Sequence, residues 1–395
     1  MKQKELCVAV IGTGYAGRLH SEAYRKVGGI QVRLKTVVDI DLPKASAFQA
    51  RYGYEKVEAD FETVLGDPEI DVIDICTPPF LHTGMIVKAL EAGKHVICEK
   101  PLNGYFGNPG DPEPIGKNVS KRDMARHVQR EMERIRSVLK RSEKKFCYAE
   151  NYVYAAAIQK AAELISHKKS RILFMKGEES LKGSISQEAG KWSQIGGGAL
   201  IRAGCHPLSS MLVLKMTEAK ARGEKFAVKS VQADMGQVLP SLNPEERIYL
   251  KAKPDDVEDF ANVTVTFADG TKAVAMASDL YMAGTRGYAE IYCHDAAYLC
   301  KISPGRILDS YFLDEAGLED VSLSEMCPSK LGWNPSWIAD DVIRGYLGEI
   351  QDFAEAITED REPFCNFEVA YQTMRVLYAA YESAESGRLV ELKGE

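Results

Sequence analysis

The stretch Leu6-Cys-Val-Ala-Val-Ile11-Gly12-Thr-Gly14-Tyr15-Ala16-Gly17 decides the fold of this 395-residue chain. Leu6 to Ile11 is a short continuous apolar run, the pattern of a parallel strand buried on both faces. It breaks into three glycines at G-x-G-x-x-G spacing, and Arg18 to Val27 beyond them has helical character. Gly12 allows a tight turn, Gly14 lets a pyrophosphate approach the backbone, and Gly17 lets helix and strand pack closely. The helix N-terminus, with Tyr15 and Ala16 in its first turn, offers unpaired N–H groups and partial positive charge to phosphates. Asp39 follows 22 residues after Gly17, at the end of a second strand from Arg33 to Val38. Its carboxylate can accept hydrogen bonds from ribose hydroxyls and would repel a 2′-phosphate, so NAD is expected over NADP.

Outward from there, strand and helix alternate. Helical stretches around Lys44–Tyr52, Phe61–Leu65 and Thr83–Ala92 separate the strands Val72–Cys76 and His95–Cys98. This is a β-α-β-α-β series, hence a doubly wound parallel sheet of Rossmann type. At 395 residues the chain is long enough for two domains. We expect a nucleotide-binding domain over 1–148 and an α/β domain over 149–395 with an open, largely antiparallel sheet.

Composition narrows the function classes. The hydrophobic fraction of 45% and charged fraction of 27% are ordinary for a globular protein. Lys plus Arg is 50 against 57 for Asp plus Glu, a net charge of −7, the wrong sign for general binding to nucleic acid or a membrane surface. The nine cysteines form no C-x-x-C pair, so no metal-ligand spacing is present and no metal is expected. Cys7, Cys76 and Cys98 sit in apolar runs and read as small buried hydrophobes in a reducing compartment. No apolar stretch approaches the roughly 18 residues of a membrane span, and the N-terminus lacks a signal-peptide pattern. A cytoplasmic location is expected.

Two further signatures point to a family. Cys76-Thr77-Pro78-Pro79 with His82 follows one strand, and Glu99-Lys100-Pro101 follows the next. With Gly17-x-x-His20, and with Ile350–Ile357 and Ala380–Arg388 near the far end, the chain resembles the glucose–fructose oxidoreductase/inositol dehydrogenase (Gfo/Idh/MocA) family. The resemblance implies a dehydrogenase that binds NAD(P), in which Thr77, Pro78, His82, Glu99 and Lys100 join the glycines and Asp39 at the cofactor. It also implies a homodimer or homotetramer. Lys100 sits where such sheets bind ligands and can exchange a proton with a substrate hydroxyl. Glu99 orients that ammonium or contacts the nicotinamide side.

Gly196-Gly-Gly198-Ala-Leu-Ile-Arg202-Ala-Gly-Cys-His206-Pro207 resembles the family's G-G-G-x-L-x-D-x-G-x-H segment. His206 then matches the family's general acid/base. Arg202 stands where the family carries Asp, so the carboxylate beside the histidine is missing. An arginine there suits an anionic substituent of the substrate, or else it turns away to an acid on another element. Asn151, Tyr152 and Trp192 are further substrate candidates, Trp192 by stacking on a sugar's apolar face. Trp333 and Trp337 offer the same ring chemistry, with core or interface packing as the alternative.

Residues 103–120 are rich in Gly and Pro and read as a loop, starting close enough to Lys100 to suggest a lid. Ser120-Lys-Arg-Asp123 opens a basic helix expected to reach about Lys145. Residues 216–257 carry no clear assignment. The expected activity is NAD-dependent oxidation of a CH–OH group in a sugar, sugar derivative or cyclitol. The alternative is an NAD-dependent glycosidase or lyase that passes through a 3-keto sugar without net redox change. A non-catalytic nucleotide sensor is the third reading, and Lys100 and His206 together weigh against it.

Overall fold

The computed structural model describes residues 4–184, 186, 188–250, 252–282, 284–303, 308–321, 323, 329–336 and 339–392. Two compact units interleave along the chain: 1–106, 123–151 and 346–375 form the first, and 107–122, 152–345 and 376–395 the second. A single cut at 148/149 therefore does not describe them. Residues 346–375, expected in the second domain, belong to the first unit. Among the described residues no helix is long and apolar enough to cross a membrane.

The first unit is built on six parallel strands: β1 (Lys4–Ile11), β2 (Ile30–Val38), β3 (Lys56–Glu58), β4 (Val72–Ile75), β5 (His95–Glu99) and β6 (Phe146–Ala149). Their order is β3-β2-β1-β4-β5-β6. The chain leaves β1 for β2 and β3, then crosses back to β4 on the other side. Such a switch point opens a crevice at the carboxyl ends of β1 and β4. Val8, Ala9 and Val10 are fully buried, which is why this strand reads as a continuous apolar run.

Local chemistry sets the helix ends. In Leu42–Tyr52 the Asp41 side chain accepts from the Lys44 N–H, and Gly53 closes the helix in the left-handed region. Helix Lys121–Leu139 buries Met124, Val128, Met132, Ile135 and Val138 along one stripe and leaves Arg122, Arg126, Arg130 and Arg134 exposed. It ends at Leu139, short of the expected Lys145, because the chain must turn to enter β6 at Phe146. Helix Tyr346–Thr358 packs on helix Tyr15–Tyr24 and on β1.

The second unit carries β7 (Ile172–Leu181), β8 (Val228–Gly236), β9 (Phe260–Phe267), β10 (Lys272–Ser278), β11 (Thr285–Cys293), β12 (Ala297–Lys301), β13 (Leu308–Phe312), β14 (Gly332–Ser336) and β15 (Val390–Glu391). Seven of them form a sheet in the order β12-β11-β7-β10-β9-β8-β15, and β13 and β14 pair separately. Among the described residues, only β7 and β10 of the neighbours in the large sheet run parallel. Helix Cys205–Arg222 lies so close to this sheet that a Cβ on Gly177 would come within 2.9 Å of Pro207 Cβ. The unassigned 216–257 segment resolves into the end of that helix, β8 and a connection to β9. Residues 107–122 belong to this unit, where Gly116 N donates to Asp256 at 2.8 Å. The expected lid is thus fastened by its own backbone rather than free-standing.

Candidate active site

The first unit presents a dinucleotide cradle at the carboxyl edge of its sheet. Gly12 has φ +103°, and a Cβ there would lie 2.6 Å from the Cys76 carbonyl oxygen. A Cβ on Gly17 would overlap the Gly12 carbonyl, so helix and strand can approach this closely only through glycine. Gly14 faces open space, Tyr15 is exposed, and Ala16 is half-buried. Asp39 accepts from Thr13 N at 2.9 Å, from the Thr13 hydroxyl and from Asp41 N at 3.0 Å. Burial pushes its pKa up, but those hydrogen bonds outweigh burial and hold the carboxyl below its usual range. The turn is thereby locked with a carboxylate at the end of β2. A backbone cradle and an ionised acid in this place fit NAD.

Lys100 follows β5 directly, and its backbone N–H donates to the Glu99 carboxylate at 2.9 Å. Thr77 is half-buried, with its hydroxyl 3.6 Å from Met85 Sδ, and Pro78 is exposed. His82 departs from the expectation of a cofactor contact. It is fully buried, with Nδ1 3.0 Å from the Pro101 carbonyl and Nε2 2.9 Å from the Thr77 carbonyl. Burial lowers its pKa, so a neutral ring bridges the Thr77 and Pro101 turns. Both ring nitrogens are committed to the protein, which leaves neither for the cofactor.

Behind Glu99 lies a buried charge cluster that sequence reading did not find. His20 Nδ1 is 2.9 Å from an Asp74 oxygen, and its Nε2 is 3.4 Å from Glu99 and 3.8 Å from Glu349. Tyr24 OH also donates to Asp74 at 2.9 Å. Burial would lower the His20 pKa, but the Asp74 charge outweighs it and holds the ring protonated well above its usual range. Burial raises Glu99, but the hydrogen bond and charge of His20 win, and its pKa lies below the ordinary value. Glu349 goes the other way: burial lifts it well above the carboxylate range, and the Glu99 charge adds to that. One available signal was Asp74 itself, an acid in the middle of an otherwise apolar strand.

In the second unit the glycine-rich segment leads into a π-helical turn, Leu200–Gly204, ahead of helix Cys205–Arg222. The simple i, i+4 relation of Arg202 to His206 is therefore altered by a wider turn. His206 is buried and stacks on the Tyr152 ring, with centroids 4.5 Å apart. Its Nε2 is 3.8 Å from Glu179. Glu258, missed by sequence reading, accepts from Gly198 N, Leu200 N and Tyr381 OH and so fastens the glycine turn. Burial raises its pKa to about 7.

Arg202 corrects the expectation of a guanidinium aimed at an anionic substrate, for it is ion-paired with the buried carboxylate of Asp279. The charge is neutralised inside the protein. Arg202→Lys should accordingly lower the melting temperature of the ligand-free protein and affect every substrate alike, because the planar fork is lost. A lowered affinity for anionic sugars alone, at unchanged melting temperature, would contradict this pairing. Trp192 is also corrected: its ring is buried, with Tyr381 edge-on at 4.7 Å and the Lys121 ammonium 4.7 Å over it. That is packing, with a cation on the face a sugar would need. Asn151 is buried at the end of the first unit. Trp333 is exposed against Tyr311, and Trp337 lies outside the described residues.

Residues 6–105 match a model described as oxidoreductase family, NAD-binding Rossmann fold, and residues 182–392 match the companion C-terminal alpha/beta domain. The chain is 38% identical over 106 residues to levoglucosan dehydrogenase of Pseudarthrobacter phenanthrenivorans, spanning 25% of this chain and 27% of that one. It is 36% identical over 102 residues to D-glucoside 3-dehydrogenase of Escherichia coli, spanning 26% and 28%. The alignments thus cover about a quarter of the length of these relatives. Among solved structures, GenD2 from gentamicin A biosynthesis in complex with NAD has a TM-score of 0.75 at 21% identity, covering 99% of this chain and 97% of that one. Levoglucosan dehydrogenase with NADH and levoglucosan gives 0.71 at 23%, covering 98% and 99%. At these identities the structural likeness is one of fold.

Proposed function

Because the chain belongs to the Gfo/Idh/MocA oxidoreductase family, we propose that it oxidises a CH–OH group of a neutral sugar or cyclitol with NAD. The observation that carries this reading is the carboxyl edge of one sheet. It sets the glycine cradle after β1, the Asp39 carboxylate after β2 and the Glu99–Lys100 turn after β5. NAD, when bound, supplies the acceptor for the hydride that leaves the sugar carbon. The chain's own residues manage the proton. His206 takes it from the hydroxyl, and the Lys100 ammonium steadies the oxygen as negative charge develops. The sugars named for the two curated relatives support a carbohydrate substrate. The internal Arg202–Asp279 pair favours a neutral one. The proposal includes a cytoplasmic location, in keeping with free and mostly buried cysteines, and a homodimer or homotetramer.

The test is absorbance at the NADH band while levoglucosan, glucosides and inositols are added in turn. NADH accumulation is the expected result. Sugar cleavage without net reduction would replace this reading with the glycosidase or lyase one. Asp39 gives a second check. Asp39→Ser should narrow the preference for NAD over NADP, and a wild-type protein that binds NADP more tightly would remove Asp39 from the ribose.

A further inference from the structure

Among the described residues, β7 and β10 are the one parallel pair in the second sheet, with Glu179 opposite Ala277 in the register. On β7 the side chains alternate. Glu178 pairs with Arg286 at 3.0 Å, while Gly177 faces Pro207 and Met211 of helix Cys205–Arg222. Leu181, two residues beyond Glu179, packs on Ala199, Ala203 and Ala277. Glu179 stands between Gly177 and Leu181 on that face, so its carboxylate rises against the first turn of the helix, which holds His206. Asp279, two residues past Ala277, emerges on the same face and takes Arg202. The two parallel strands thus deliver two acids to one helical entry, one for each basic side chain.

We propose that Glu179 is the positioning residue of His206, a role that rests on the acid/base reading of His206 given above. Two features support it. Glu179 and His206 are both buried, with Oε2 and Nε2 3.8 Å apart. The Tyr152 ring covers one flat face of the imidazole and limits its rotation. The negative charge of a carboxylate 3.8 Å from Nε2 favours a proton on that nitrogen, so the proton of the sugar hydroxyl goes to the other ring nitrogen. The resulting imidazolium is stabilised across the same contact.

The experiment pairs Glu179→Gln and Glu179→Asp with His206→Ala in the full-length protein. Nitrogen-15 spectra of histidine-labelled protein, with His206→Ala giving the assignment, should show the Nε2–H tautomer in the wild type and a changed ring signature in Glu179→Gln. With levoglucosan, methyl glucoside and myo-inositol as probes, kcat should fall about ten- to hundred-fold in Glu179→Gln at nearly constant KM, within the range a general base supplies. Glu179→Asp should recover part of the loss, and NAD binding should be unchanged in both. An unchanged His206 signature in Glu179→Gln would overturn the inference whatever the kinetics. Full turnover in Glu179→Gln while His206→Ala is inactive would overturn it too and leave His206 standing. Normal turnover in His206→Ala would instead sink the acid/base reading on which the inference rests.

Discussion

Lys100→Ala is expected to cut turnover about a hundred-fold or more while NAD binding stays within a few-fold. The separation follows from how the turn is held. The Lys100 backbone N–H is fixed by the Glu99 carboxylate, and the adjoining Pro101 carbonyl by the His82 ring, so the turn keeps these two anchors when the lysine side chain is removed. Removing that side chain takes away the positive charge that steadies the oxygen, but not the cradle of Gly12–Gly17. Lys100→Arg sharpens the test, since arginine keeps the charge in a bulkier planar fork. It should bind NAD normally and recover part of the turnover lost in Lys100→Ala. Steady-state rates beside a fluorescence titration with NAD decide the matter. Near-normal turnover in Lys100→Ala would make Lys100 a structural residue and remove it from the chemistry.

The parts of the site legible in the sequence are those whose function is built from local backbone. The Gly12–Gly17 turn and Asp39 belong to one strand-turn-helix and the end of its neighbouring strand, so spacing alone places them. The parts that were missed depend on pairing across long stretches of chain. Glu349 reaches His20 because helix Tyr346–Thr358 returns to pack on helix Tyr15–Tyr24, and no local pattern announces that return. Spacing leaves Arg202 open to a substrate anion or to an internal acid, because its partner Asp279 arrives through the β7–β10 pairing. His82 stands where the motif puts it, but the motif does not say that both ring nitrogens turn to carbonyls. Residue type and spacing show which groups gather. Which of them are already spent on one another is a tertiary fact.

His20→Leu is expected to destabilise the first unit by about 3–5 kcal/mol, the cost of removing one partner from a buried ion pair. The Asp74 and Glu99 side chains would be left in the interior without their cation. The pH dependence identifies the cause. The His20 pKa is raised in the folded protein above its ordinary value near 6.5, so folding binds a proton there. Its contribution is fully present below about pH 6.5 and declines as pH rises toward the raised folded value, by up to about 1.4 kcal/mol per pH unit. The stability gap between wild type and His20→Leu should therefore narrow steadily on the alkaline side. Urea unfolding of both proteins without added cofactor, at several pH values from about 6 to 9, measures it. Glu349→Gln is the matched control. Burial keeps that carboxyl protonated, so a neutral amide of the same shape should cost much less than the histidine does. A gap that stays level across this range would mean that His20 is neutral in the native protein. A loss in Glu349→Gln as large as that in His20→Leu would mean that Glu349 carries a charge, and the division of protons within the cluster would have to be redrawn.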